Sequence, residues 1–375
     1  MPLRAFFVYF VIRLLTSRDS MAIHNFSAGP AMLPVEVRER LAEALGPGEG
    51  GSPSIAEVSH RGPRFMALAE ELFARLRELM DVGEDHEILL LHGGANLQFA
   101  WLPMNLARER TAAFLLTGHW GEKALAEAGR VTRTQVAGSS TDVDFTDLPE
   151  LGHLPADTAY LHYTGNETIH GVQYVSPPQV GVPLAADLSS EFLSRPYPYR
   201  DLAFAYAGAQ KNFGIAGVTV VVIRRDLLER IPDDLPRYLD YRAWVETGSM
   251  FNTPVTFAWY AALEMLRWIE RRGGLAAVAA ANEAKAAALY AAVDGSRFYH
   301  NAVAEHCRSL MNVPFFIHDD ALTARFVEEA EQAGLSGLKG HRALGGLRAS
   351  LYNAQTMDAV ESLVDFMQEF ERRHG

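Results

Sequence analysis

The 375-residue chain has a single cysteine and no excess of positive charge. Because Cys307 is the only cysteine, no disulfide can form within the chain, and the simplest interpretation is a reducing compartment such as the cytoplasm. The net charge of −12 disfavours nucleic acid and anionic membranes as partners. An anionic small molecule would therefore need a local cluster of basic side chains.

The first twenty residues differ in composition from the rest of the chain. Residues 5–12 form an unbroken apolar run between Arg4 and Arg13, and eight residues are too few to span a bilayer, where about 20 are needed. Arg13 interrupts the run, and no small-residue cleavage pattern follows it. We interpret residues 1–20 as an upstream extension or a misassigned start, with a processed targeting segment as the alternative.

From residue 34 onward, helical patterns alternate with short apolar runs, which is typical of an α/β protein with a mostly parallel, doubly wound sheet. Pro34 and Pro63 would each occupy the first position of a helix. Helices are predicted at residues 34–45, 63–80, 256–272, 275–292, 321–333 and 356–373. Buried strands are predicted at residues 87–91, 112–117, 158–163, 183–188, 202–206 and 218–224, with a further apolar run at 310–317.

This pattern predicts two domains. Residues 34–274 would form a large domain, and residues 21–33 together with 275–375 would form a small α+β domain. In an open sheet, ligands bind beyond the carboxyl ends of the strands. The positions to search first are therefore the residues just after the predicted strands, which are Gly93, Thr164, Ser189 and Gly208.

One glycine motif points to a function that its surroundings exclude. Gly46, Gly48 and Gly51 match the spacing G-x-G-x-x-G of dinucleotide-binding turns. That turn requires a strand before it and a helix after it, whereas this match follows a helical pattern and leads into Ser52 and Pro53. We therefore do not interpret it as a dinucleotide site.

The most informative stretch is residues 205–212 (AYAGAQKN), where an apolar strand ends in small residues and then presents Lys211. A lysine after a strand is usually a solvated surface residue. Here the small neighbours leave room for a bulky group on the side chain. A desolvated lysine in such a place can form a Schiff base with a carbonyl cofactor.

A carboxylate ends another predicted strand, in residues 183–190 (PLAADLSS). Buried acids are rare unless they are paired, so Asp187 needs a partner. A pyridinium nitrogen would supply one, because the carboxylate favours the protonated ring, which then withdraws electrons from the substrate. Without Lys211, a helix cap or a structural acid would be the better interpretation of Asp187.

A third element, residues 92–99 (HGGANLQF), follows a predicted strand and opens a helical pattern. A strand, a glycine turn and a helix N-terminus together form an anion site, because free backbone N–H groups and the helix dipole point at the ligand. Such a turn is more often structural when it stands alone. With a lysine and an acid on neighbouring strands, it completes what a phosphorylated pyridine aldehyde requires.

Six segments in a fixed order extend this interpretation: residues 25–30 (NFSAGP), 57–61 (EVSHR), 166–168 (NET), 207–212 (AGAQKN), 248–254 (GSMFNTP) and 339–342 (KGHR). In these segments the chain resembles the phosphoserine aminotransferases of the class V aminotransferase group, and the resemblance covers Met21 to Gly375. It implies a type I fold, pyridoxal 5′-phosphate as cofactor and a homodimer with shared active sites.

The resemblance also implies roles for individual residues around the cofactor ring. Lys211 would carry the cofactor and move the proton, and Asp187 would contact the pyridine nitrogen. Trp120 would stack on the ring, a role suited to a flat aromatic surface. Thr168 would donate a hydrogen bond to the ring hydroxyl.

By the same resemblance, the cofactor phosphate would be bound by Ala95, Asn96 and Gln210. Asn252 and Thr253 would reach this phosphate from the second subunit. The substrate α-carboxylate is expected at Arg348. The distal phosphate or carboxylate is expected at His60, Arg61, His341 and Arg342. Arginine suits both tasks, because its planar fork pairs bidentately with carboxylate and phosphate oxygens.

The implied reaction is the reversible transfer of an amino group between glutamate and 3-phosphooxypyruvate, which gives O-phospho-L-serine and 2-oxoglutarate in serine biosynthesis. Action on 3-hydroxy-2-oxo-4-phosphooxybutanoate in pyridoxine biosynthesis is left open. The alternatives are another class V enzyme, such as a small-acid aminotransferase or a cysteine desulfurase, or a non-catalytic binding protein of the same fold. A desulfurase needs a reactive thiol, and Cys307 precedes an apolar strand pattern, which favours a buried, inert side chain.

Overall fold

A computed structural model of the chain describes residues 23–375, so the predictions for residues 1–20 lie outside the described residues. A seven-stranded sheet forms the centre of the larger part of the structure. Its strands, in chain order, are β2 (His86–Leu91), β3 (Thr111–Leu116), β4 (Arg133–Ser139), β5 (Thr158–Thr164), β6 (Leu184–Asp187), β7 (Phe204–Gly208) and β8 (Thr219–Arg224). Their order across the sheet is β2-β8-β7-β6-β5-β3-β4.

The sheet is mostly parallel, as predicted. Strands β7, β6, β5, β3 and β4 pair in parallel, and β8 runs antiparallel to both of its neighbours, β7 and β2. Strand β2 therefore points the same way as β7. As a consequence, β2, β5, β6 and β7 all end at one edge of the sheet.

Helices cover both faces of the sheet, which confirms the doubly wound arrangement. The helices of this part are α1 (Val35–Ala44), α2 (Pro63–Met80), α3 (Gln98–Leu106), α4 (His119–Ala128), α5 (Tyr241–Glu246) and α6 (Thr256–Arg271). In β2, Ile88 and Leu90 pack with α2 and α6, whereas Leu89 and Leu91 pack with α3 and α5. Because successive side chains alternate between faces, a strand covered on both sides is apolar throughout.

A smaller group of elements follows α7 (Gly274–Asp294) and comprises α8 (Thr323–Gln332), α9 (Met357–His374) and the strands β9 (Tyr299–His300), β10 (Asn312–Ile317), β11 (Leu335–Ser336) and β12 (Leu347–Ser350). Strand β10 lies between β9 and β12, antiparallel to both. The first described strand, β1 (His24–Asn25), pairs with β11. This pairing supports placing the N-terminal residues with the small domain, and we propose the division 34–274 against 21–33 plus 275–375 on that basis.

Two local predictions are wrong for identifiable reasons. Pro34 does not begin α1 but precedes it as the N-cap, with extended φ and ψ of −55° and 146°. Strand β4 was not predicted because its sequence, RTQVAGS, has no apolar run. It lies at the edge of the sheet and is largely half-exposed, so burial does not select apolar side chains there. Among residues 23–375, no helix is both long and apolar enough to cross a membrane.

Candidate active site

A cavity of about 570 Å³ lies where β2, β5, β6 and β7 end. Its walls include the turn after β2, the last residue of β6 and the loop after β7, as expected for an open sheet. Strand β12 of the smaller group closes the cavity from the other side. The predicted site residues that line this single cavity are Ala95, Asn96, Trp120, Thr168, Asp187, Gln210, Lys211, His341 and Arg348.

Lys211 is half-buried in this cavity and is held by two hydroxyl groups. Its Nζ donates to Thr168 Oγ1 at 3.0 Å and to Ser190 Oγ at 2.7 Å, and the two hydroxyls lie 2.6 Å apart. Gly29 faces the stem of the lysine, because a Cβ at Gly29 would lie 3.6 Å from Lys211 Cγ. The ε-amine is therefore directed into the cavity by short contacts, with open space around it.

Asp187 is buried at the end of β6, and its Oδ1 accepts a hydrogen bond from Ser189 N at 2.9 Å. Burial raises the pKa of Asp187, while the hydrogen bonds of Ser189 and the charge of Lys211 oppose the rise. Behind it, His162 Nε2 contacts the Tyr206 hydroxyl at 2.9 Å, and burial lowers the pKa of His162 to about 3. Among residues 23–375, no cationic side chain forms an ion pair with this carboxylate, and a protonated pyridine nitrogen would supply such a partner.

The turn after β2 forms an anion cradle at one end of the cavity. Gly93 has φ of +83°, a left-handed conformation that favours glycine, and Gly94 precedes a 3₁₀ turn, Ala95–Leu97, that leads into α3. The first N–H groups of such a turn have no partner within the helix. Gln210 adds a carboxamide from the opposite side of the cavity. These groups suit the phosphate of a cofactor whose ring lies toward Asp187.

Several polar atoms of residues that line the cavity have no hydrogen-bond partner. Such atoms indicate whether the cavity fits a flat, polar ligand. Trp120 Nε1, Thr164 Oγ1 and Arg348 Nε are buried without a hydrogen-bond partner among the described residues. Buried polar groups are rarely left unpaired unless a ligand or water completes them. The chain's donor set therefore fits a phosphorylated pyridine aldehyde together with an anionic substrate.

Trp120 is positioned by a buried acid that the sequence analysis did not single out. Glu167 accepts hydrogen bonds from the backbone N–H groups of Trp120 at 3.3 Å and Gly121 at 2.9 Å, in the first turn of α4. Burial raises the pKa of Glu167 to about 7. Because Thr168 follows directly, one short segment fixes both the tryptophan and the hydroxyl that holds Lys211.

Arg348 enters the cavity from β12 without a charge partner. Its Nη1 donates to the Thr168 carbonyl oxygen at 3.4 Å, and no carboxylate of residues 23–375 lies within ion-pair distance of it. Burial lowers the pKa of the guanidinium. A desolvated, unpaired arginine is costly, so this position favours an incoming carboxylate.

His341 lines the cavity near Arg348, and two more histidines, His119 and His170, lie close to it outside the cavity lining. The rings of His119 and His341 are 5.6 Å apart. Burial, together with the charges of His119 and His341, lowers the pKa of His170 to about 4. His341 was predicted from the sequence as a site residue, whereas His119, His170 and Ser190 were not. Ser190 follows Asp187 closely at the strand end, so extending the search by one residue beyond Ser189 would have found it.

Other predicted residues do not line the cavity of their own chain. His60 and the exposed Arg61 lie in the turn before α2, and the exposed Arg342 follows His341. Asn252 and Thr253 lie in the loop between α5 and α6. Asn252 Oδ1 is buried without a partner among the described residues. A role for these residues in the cavity thus requires another subunit or a movement of the chain.

The family of the chain follows from comparison with known proteins. A family model described as Aminotransferase class-V matches residues 23–363. The chain therefore belongs to the class-V aminotransferase family, whose members are pyridoxal-phosphate-dependent enzymes of fold type I.

Two relatives and one solved structure are similar to this chain over almost its whole length. The phosphoserine aminotransferase of Stenotrophomonas maltophilia strain R551-3 is 48% identical over 357 residues, which is 94% of this chain and 99% of the relative. The phosphoserine aminotransferase of Geobacillus kaustophilus is 46% identical over 354 residues, covering 93% and 98%. A solved structure of the phosphoserine aminotransferase from Bacillus circulans subsp. alkalophilus superposes with a TM-score of 0.92 at 44% identity, covering 95% and 100%.

Proposed function

We propose that the chain is a phosphoserine aminotransferase, which transfers an amino group reversibly between glutamate and 3-phosphooxypyruvate. The observation that carries this proposal is a single cavity that is lined by Lys211, Asp187 and the unpaired Arg348, together with His341. The near full-length similarity to phosphoserine aminotransferases supports the choice of substrate. A cytoplasmic location is part of the same proposal and is supported by the single, unpaired cysteine.

Different side chains of the cavity would bind the cofactor and transfer the proton. Ala95, Asn96 and Gln210 would hold the phosphate of pyridoxal phosphate, and Asp187 would hold its ring nitrogen. When bound, the cofactor supplies an electron sink for the substrate's α-carbon. The Lys211 amine would take a proton from that carbon and return it, and the hydrogen bonds to Thr168 and Ser190 would hold Nζ in position.

The charges of the cavity select the substrate. Arg348 would pair with the α-carboxylate that every amino donor and acceptor carries. The basic groups near His341 would bind the second anionic group, a phosphate in phosphoserine and a carboxylate in glutamate. Phosphoserine and glutamate each carry a second anionic group besides the α-carboxylate, and in a protein with a net charge of −12 such groups need local basic side chains.

A donor comparison tests the proposal directly. The purified enzyme with bound cofactor is mixed with phosphoserine, glutamate, serine, alanine or cysteine, and the cofactor spectrum is followed through a single half-reaction. We expect phosphoserine and glutamate to react, and the donors without a second anionic group to react at least about 100-fold more slowly, since one lost charge-assisted contact is worth ~1.5–3 kcal/mol and a phosphate makes several. Equal rates with alanine, or sulfide release from cysteine, would refute it.

The cysteine desulfurase alternative is disfavoured by the position of the thiol. Cys307 is buried and is absent from the residues that line the cavity. Burial and the Asp147 carboxylate raise the pKa of the Cys307 thiol to about 11. A thiol that stays protonated at neutral pH, and lies away from Lys211's cavity, cannot act as the sulfur acceptor.

Replacement of Arg348 by lysine is expected to lower kcat/KM for both phosphoserine and glutamate by about 30- to 100-fold, because lysine cannot pair bidentately with a carboxylate. The spectrum of the bound cofactor should remain unchanged. Arg110→Lys serves as the matched control, since Arg110 donates only to backbone carbonyls at the far end of the strands. A defect restricted to one of the two substrates would show that Arg348 does not bind the shared α-carboxylate.

We further propose a homodimer in which Asn252 and Thr253 of one subunit complete the phosphate site of the other. Neither residue lines the cavity of its own chain, so a contact of this loop with a cofactor phosphate would have to be made in another subunit. The double variant Asn252→Asp/Thr253→Asp would place negative charge against the cofactor phosphate and should be inactive, as should Lys211→Ala. Co-expression of the two should restore about a quarter of wild-type activity, because half of the randomly assorted dimers contain one intact site of two. No recovery in mixed dimers isolated with two different tags would exclude shared sites.

A further inference from the structure

Outside the active site, three potential metal ligands converge where two loops meet. Asp147 follows the 3₁₀ turn Thr141–Val143, and His306 and Cys307 belong to the 3₁₀ turn Glu305–Cys307. Asp147 Oδ1 lies 3.0 Å from His306 Nε2 and 3.7 Å from Cys307 Sγ, and the three ligand atoms all lie within 4.8 Å of one another. None of the three residues lines the active-site cavity.

We propose that Asp147, His306 and Cys307 form a binding site for a thiophilic divalent cation, with Zn²⁺ as the ion that matches the ligands. Tetrahedral Zn²⁺ binds oxygen and nitrogen at about 2.0–2.1 Å and sulfur at about 2.3 Å, so its ligand atoms lie about 3.3–3.6 Å apart. The distances from Asp147 Oδ1 to His306 Nε2 and to Cys307 Sγ, 3.0 and 3.7 Å, lie on either side of this range. A thiol and an imidazole favour Zn²⁺ over Mg²⁺ and Ca²⁺, which prefer oxygen ligands.

The surrounding backbone holds the two loops in place before any ion binds. Ala304 N donates to the Thr146 carbonyl oxygen at 2.9 Å, and Gln173 N donates to the Cys307 carbonyl oxygen at 2.8 Å. The side chains of His306 and Asp147 are 63% and 43% exposed, whereas Cys307 is buried. An ion can therefore enter from solvent between His306 and Asp147 and meet the sulfur beneath them, leaving the fourth position for water.

The charges of the site balance when the ion binds. Without a cation, burial and the nearby Asp147 carboxylate keep the Cys307 thiol protonated. Binding of Zn²⁺ forms the metal–sulfur bond and releases the thiol proton to solvent. One carboxylate, one thiolate and a neutral imidazole then compensate the charge of the ion. Arg308, the nearest guanidinium, is already paired with Asp294 and does not compete for the thiolate.

The test uses the enzyme with its cofactor bound, after dialysis against a chelator. Zn²⁺ affinity is measured by competition with a chromophoric chelator, and Co²⁺ is added separately to look for a sulfur-to-cobalt charge-transfer band. We expect one Zn²⁺ per chain and a band in the wild type. His306→Ala and Asp147→Asn should each weaken Zn²⁺ binding at least about tenfold, in line with the effect of losing one ligand contact. Cys307→Ser should abolish the band.

Matched controls are provided by other histidines. His153→Ala removes an exposed histidine, and His300→Ala removes one ring of a stacked pair with His318, 4.5 Å apart. Both variants should bind Zn²⁺ as the wild type does. All variants are checked for wild-type aminotransferase activity, so that a loss of metal binding is not a loss of fold. The proposal is overturned if the wild type gives no band, or if Cys307→Ser and His306→Ala retain wild-type affinity.

Discussion

Lys211→Ala is expected to lower the transamination rate by at least about 10⁴-fold, which is the upper range for loss of a positioned acid–base group alone. The variant would lose both the proposed attachment point of the cofactor and the proposed proton carrier, and no other lysine among residues 23–375 lines the cavity. Borohydride reduction of the wild-type enzyme should fix the cofactor on Lys211, as detected by mass spectrometry of the peptide. The same treatment of the variant should leave the chain unmodified.

A second substitution at position 211 tests whether the amine takes part in the reaction or only supplies a positive charge. Lys211→Arg keeps a cation that can donate to Thr168 and Ser190, the two hydroxyls that hold Nζ. A guanidinium remains protonated at all accessible pH values, so it can neither attack a carbonyl nor accept a proton. We therefore expect Lys211→Arg to be as inactive as Lys211→Ala. Substantial activity in the arginine variant would show that the position supplies only charge.

Asp187→Asn is expected to lower kcat by about 10²- to 10³-fold while leaving the cofactor bound. The variant keeps the shape of the side chain but removes the charge that would pair with the ring nitrogen, and breaking a buried pair costs about 3–5 kcal/mol. Borohydride should still fix the cofactor on Lys211. Single-turnover kinetics with phosphoserine measure the loss.

The control for Asp187 is another buried acid near the cavity. Glu167→Gln retains an oxygen that can accept from Gly121 N or Trp120 N, so the position of Trp120 should persist and kcat should fall by less than about tenfold. A larger loss in Glu167→Gln than in Asp187→Asn would contradict the assignment of Asp187 to the ring nitrogen.

The sequence alone determined much of the fold and the centre of the site. Strands that are covered on both faces are apolar, so their positions could be predicted from apolar runs. Of the seven strands of the large sheet, only the half-exposed β4 was not predicted. Parallel strands β6 and β7 are neighbours and end at the same edge of the sheet. For that reason Asp187 at one strand end and Lys211 shortly after the other could be predicted to lie close together.

Tertiary structure decided which side chains complete the cavity. Arg348 and His341 belong to the smaller group of elements and lie more than a hundred residues after Lys211 in the sequence. No local sequence pattern predicts where β12 will lie relative to the large sheet. The contacts of Lys211 with Ser190 and the approach of His119 to His341 likewise depend on side-chain packing across separate elements. A strand's period fixes the face on which a residue lies, whereas distances between side chains are set only when all the elements pack together.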